Sequence, residues 1–237
     1  MLNSAKMKDL GNAVTKAIGS SRVSIFLKLL LALPILDAML TFQNRWPTVG
    51  VRWVPELSIE LAALLLILTL AAARWDLTNR ALRNTLIGGY LVFILGRYVD
   101  VTVPALMGRS INLYWDSQQI PRVAALLADR VVGWQLWLAV SALLAFLAVL
   151  VVLLRWALGV ILTVLARRAG RRWLGALSLT LLALYGAGRL SSRLPTEHWF
   201  ALPVSGMFAE QIRLTLAATV FRNRSWLATR PPLLDSD

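Results

Sequence analysis

Apolar runs alternate with short polar connectors along the whole chain, at 23–40, 57–73, 85–104, 131–154 and 173–190. At about 1.5 Å of rise per residue, runs of this length approach or cross a hydrocarbon core about 30 Å thick. The pattern predicts an all-α polytopic membrane helix bundle of about five transmembrane helices, with interfacial helices at its edges. The second run barely reaches across, so it stands nearly upright or draws on Glu56 and Arg74 at its ends. The fourth continues to Ala166, too long for one crossing. Arg155 and Trp156 mark its exit, and an amphipathic continuation follows. Gly88 and Gly89 in the third run offer a surface for close helix contact.

Composition agrees with this reading: 58% of residues are hydrophobic and 16% charged, with a mean hydropathy of +0.65, well outside the range of an ordinary soluble domain. In a soluble protein the net charge of +13 points to nucleic acid. Here the placement of the charges argues otherwise. Lys6, Lys8, Lys16 and Lys28 precede residue 30, while Arg74, Arg80 and Arg83, then Arg167, Arg168, Arg171 and Arg172, fill alternate connectors. Positive charge on alternate connectors sets topology, with those connectors in the cytoplasm, the N-terminus inside and the C-terminus outside. The opposite connectors carry some arginine too, so the bias is incomplete. Residues 1–22 read as a cytoplasmic basic arm, 23–190 as the transmembrane domain, and 191–237 as an extracytoplasmic interfacial helix and linker. Most of the tryptophans fall at the predicted span ends, as an aromatic belt does.

Cysteine is absent and histidine occurs once, at His198, which leaves little from which to build a thiolate or histidine metal site. No HExxH, GxSxG, CxxC or phosphate-cradling glycine loop occurs. The chain therefore predicts no catalytic residues, no metal and no cofactor of its own. Chemistry concentrates instead between Gly96 and Arg122. Arg97 and Asp100 lie three residues apart, on one helical face where they can pair. Pro104, Gly108 and Pro121 argue for irregular backbone beyond them, so 108–130 reads as an external polar and aromatic loop. Arg109, Asn112, Tyr114, Trp115 and Asp116 join Arg97 and Asp100 as candidates for binding a lipid headgroup or docking another domain. Asp37, near the outer end of the first span, is expected to meet interfacial water.

The segment GRYVDVTVPALMGRSINLYWD, the ending PPLLDSD and the five-span plan resemble the membrane half of sulfatase-like enzymes of the alkaline phosphatase superfamily. These include lipoteichoic acid synthases, phosphoglycerol transferases and phosphoethanolamine transferases of bacterial envelopes. The resemblance implies a multi-pass protein of the bacterial cytoplasmic (inner) membrane that anchors and presents a lipid substrate. The phospho-group transferase domain that acts on it would be extracytoplasmic and is not present in this chain. It further implies that Arg97 and Arg109 meet a lipid phosphate while Tyr114, Trp115 and Asp116 shape the headgroup site or brace the catalytic domain. The expected partners are membrane lipid and that domain, with no nucleic acid. A second class stays open: a non-enzymatic membrane subunit or scaffold binding another membrane protein. A transporter is disfavoured because the charges gather at span ends.

Overall fold

The computed structural model describes residues 4–77, 79–130, 133–191 and 198–228. The elements in chain order are α1 (Ser4–Thr41), a small hairpin of β1 (Gln43–Asn44) and β2 (Val51–Arg52), α2 (Ile59–Ala71), α3 (Arg80–Met107), α4 (Leu113–Asp116), a single 3-10 turn (Ser117–Gln119), α5 (Ile120–Arg130), α6 (Gly133–Leu165), α7 (Arg168–Leu190) and α8 (Val204–Ala228). Among the described residues, four segments are long and apolar enough to cross a membrane: Val23–Thr41 within α1, and all of α3, α6 and α7. These match four of the five predicted spans.

The remaining run is shorter as a helix than as an apolar stretch. Ser58 begins α2 by accepting the Leu61 N–H on its hydroxyl at 3.2 Å, as an N-cap does. Turns in which Ala73 and Arg74 donate to the Leu70 and Ala71 carbonyls close the other end. Between them stand 13 residues, or about 20 Å of helix. The basic arm, by contrast, continues into the first span, since α1 runs unbroken from Ser4 through Pro34.

The core is a seam drawn chiefly from α1, α2, α3 and α6 at helical spacing, with Leu174 of α7. Ala32, Leu36 and Leu40 of α1 face Leu154, Leu158, Ile161 and Leu165 of α6, and Leu61, Leu65 and Leu68 of α2 join Ile87 and Ile94 of α3 in the same cluster. Lipid tails are as apolar as leucine, so this seam is held by close packing and hydrogen bonds rather than by exclusion of water. α2 and α7 pair antiparallel. At one end Leu57 donates to the Trp199 carbonyl (2.8 Å) and accepts from Ala201 (3.1 Å). At the other, the Arg171 guanidinium donates to the Ala72 carbonyl. The two ends are called the Arg97 end and the Arg171 end below.

Close approaches fall at other glycines than the expected pair. A Cβ on Gly175 would lie 2.9 Å from the Thr69 methyl, and one on Gly96 would lie 2.6 Å from the Phe208 ring. Among the described residues, no other element comes within 4 Å of a Cβ built on Gly88 or Gly89. The expected proline breaks are also absent. α3 passes through Pro104 and stops at Gly108, whose φ of 66° is the left-handed conformation that ends helices. Pro121 occupies the first turn of α5, where its missing N–H costs nothing. Residues 108–130 are thus largely helical rather than an irregular loop.

α6 is divided in its surroundings though continuous in backbone. From Leu154 to Leu165 it lies in the core. Toward its N-terminus Trp134, Trp137, Leu138, Leu144 and Phe146 are all exposed, and none of the described residues buries them.

Candidate functional site

Arg97 comes three turns into the apolar part of α3 and is only 3% exposed. Its Nε donates to the Phe42 carbonyl at 3.0 Å and its Nη1 to the Leu202 carbonyl at 3.1 Å. The side chain therefore joins three segments: the exit of α1, the middle of α3 and the approach to α8. The expected pairing with Asp100 is present, with Nη1 3.9 Å from Oδ2, and the Asp100 side chain is one-third exposed.

A second set of polar groups adjoins it. Asp37 Oδ1 accepts the Ser58 N–H at 2.8 Å, so this carboxylate serves the start of α2 instead of facing interfacial water. A carboxylate there also complements the positive end of the helix dipole. The Ser58 hydroxyl donates to Glu60 Oε2 (3.2 Å), and Glu60 Oε1 accepts from the Ser205 N–H (3.1 Å) and hydroxyl (3.3 Å). Tyr90 reaches across from α3 to donate to the Leu36 carbonyl at 2.7 Å.

Beside this cluster, α2 and α3 diverge and leave a groove of about 380 Å³. Its length is lined by Leu64, Ile67, Leu86, Gly89 and Phe93, while Glu60, Tyr90 and Ser205, with Thr85 farther along, contribute its polar groups. The open flank of Gly89 keeps it clear.

The segment after α3 forms its own clasp. Asp116 takes a bidentate pair from Arg109 at 3.1 and 2.6 Å and the Asn112 N–H at 2.8 Å. The Asn112 side chain caps α4, and Tyr114 meets Trp115 edge to face with centroids 5.0 Å apart. The Arg109 hydrogen bond, helped by the Asn112 N–H, holds the Asp116 carboxyl below the usual carboxylate range, and the same bond raises Arg109. Gln211 of α8 fastens the clasp to the bundle, donating to the Ile111 carbonyl (2.8 Å) and accepting the Leu113 N–H (2.9 Å). α8 is itself seated by Phe208, which packs edge to face on Phe93 at 5.6 Å and fills the notch at Gly96.

The seven candidate residues accordingly divide into two groups. Arg97 and Asp100 belong to the junction between helices, and Arg109, Asn112, Tyr114, Trp115 and Asp116 to the clasp, with both arginines already engaged by groups of this chain. Sequence reasoning passed over Ser58, Glu60, Tyr90, Ser205 and Gln211. A serine followed two residues later by an acid, just before an apolar run, is a legible helix start. The partner of Glu60 lies 145 residues away and carries no such signal.

No protein family, curated protein or solved structure matches this chain. Its function is therefore read from the geometry.

Proposed function

We propose that this chain is a membrane domain that holds an acyl chain of a lipid in the α2–α3 groove and presents the headgroup at the Arg97 end to an extracytoplasmic phospho-group transferase domain. The observation that carries the reading is the groove itself, apolar along its length with Glu60, Tyr90 and Ser205 contributing polar groups. Ligand sites take this form, with an apolar trough for bulk and a few placed polar groups for orientation. The resemblance to sulfatase-like membrane enzymes supplies the transferase half of the proposal. In this reading the Arg171 end faces the cytoplasm of a bacterial inner membrane, because the arginine-rich connectors gather there. A reporter active only outside the cytoplasm, fused after Asp237, then gives signal, and silence there overturns the orientation.

Gly89→Phe tests the groove. The site has room for a side chain, so the variant folds and fills the trough. A lipid with a photoreactive acyl chain is expected to label the Tyr90–Phe93 stretch of the wild type and not of Gly89→Phe. Equal labelling of both would sink the proposal. The empty flank at Gly88 favours a second reading, a subunit that receives a helix of another membrane protein. Under that reading Gly88→Leu, which leaves the groove open, abolishes co-purification of the partner while lipid labelling persists.

A further inference from the structure

The α2–α7 pairing brings two connectors together at the Arg171 end. One carries Arg74 and Arg80, with Arg83 at the start of α3, and the other carries Arg167, Arg168, Arg171 and Arg172 into α7. Their positions are fixed by contacts: Arg171 donates to the Ala72 carbonyl, and Gly175 admits Thr69 at a distance that a larger residue would not allow. Gly170 lies so close to the Val164 carbonyl that the turn into α7 is folded hard onto the end of α6.

Asp76 is the one carboxylate within residues 72–83 and 166–173, against seven arginines. Arg167, Arg168 and Arg172 are exposed, and the Arg83 Nε is buried with no hydrogen-bond partner among the described residues. Uncompensated guanidinium groups at this density repel one another and favour anions that they can grip with paired donors. What surrounds them selects among anions. Trp75 and Trp173 stand 68% and 79% exposed beside the arginines, and Leu70 of α2 continues the apolar surface below. A soluble phosphate or a nucleic acid has no use for that flank, whereas a phospholipid places its phosphate, glycerol and acyl chain against each layer in turn.

We infer that the Arg171 end is a binding surface for anionic phospholipid, with Arg167, Arg168 and Arg172 on the headgroup phosphates and Trp75 and Trp173 at the glycerol level. None of these arginines or tryptophans lines the α2–α3 groove, and they lie at the end of the bundle opposite Arg97.

The test uses the full chain in nanodiscs of phosphatidylcholine alone or with one-fifth phosphatidylglycerol, with lipids retained per chain counted after extraction into mild detergent. Phosphatidylglycerol is expected to be enriched over its bulk fraction, with the enrichment falling as salt rises. Replacing Arg167, Arg168 and Arg172 together by glutamine should lower that preference on the order of 100-fold, from roughly fivefold for each charge near an anionic surface. The triple lysine variant should retain most of the preference, and Arg45→Gln with Arg52→Gln, at the other end, should retain all of it. Equal retention of the two lipids by the wild type, or an undiminished preference in the glutamine variant, overturns the inference. So does thermal stabilisation in phosphatidylcholine by inorganic phosphate that matches the effect of phosphatidylglycerol, because the site would then read free anions.

Discussion

Arg97 and Arg109 both have the chemistry of a phosphate ligand, yet the fold uses them in opposite ways. Arg97 is 3% exposed and spends its donors on the Phe42 and Leu202 carbonyls, tying together segments from three parts of the chain. Arg109 lies at the surface and closes a local turn on Asp116, seven residues away. A guanidinium shielded from water must be met by acceptors wherever the fold can bring them, so it becomes a joint between distant segments. One in water needs no such service, and its pairing orders only its neighbourhood.

The sharpest way to break this comparison is to remove the buried member. Arg97→Ala deletes two charge-assisted hydrogen bonds, each worth about 1.5–3 kcal/mol, so a loss of about 3 kcal/mol or more is expected. Thermal unfolding in detergent measures it, and α8 should become accessible to protease as the Leu202 tether is lost. Arg97→Lys should fall between the wild type and alanine, because an ammonium keeps the charge without the fork that spans two carbonyls. A wild-type melting temperature for Arg97→Ala would show that the junction does not depend on this side chain.

At the surface the expected effects are small and depend on pH. Asp116 is held below its ordinary range, so its contribution is fully present above the unfolded carboxylate value of about 3.9 and fades as the pH falls through the lower folded value. Arg109→Ala should lower the melting temperature at neutral pH only slightly, the pair being in water, while returning the Asp116 titration, followed by its carboxyl carbon in NMR, toward the ordinary range. A titration unmoved by that substitution would break the assignment of the shift to Arg109.

Much of the architecture was legible in the apolar periodicity. Four of the predicted runs appear as helices long and apolar enough to cross a membrane, and the one-face placement of Arg97 and Asp100 followed from their spacing of three. What was not legible depended on long-range approach. Gly88 and Gly89 looked like a helix contact because small residues permit one, but permission does not supply a partner; the close approaches went to Gly96 and Gly175, where Phe208 and Thr69 arrive from distant helices. Asp37 finds the Ser58 N–H across 21 residues, and Gln211 finds Ile111 across 100. Neither pairing leaves a trace in the local pattern.

The unequal lengths of α2 and α6 set them apart against the thickness of a bilayer. α2 offers 13 residues, about 20 Å, and α6 offers 33, about 50 Å, to a hydrocarbon core about 30 Å thick. Keeping all of α6 within that core would need a lean of about 50°, beyond the 0–40° over which membrane helices are found. A bilayer whose core matches one of these two helices therefore cannot match the other.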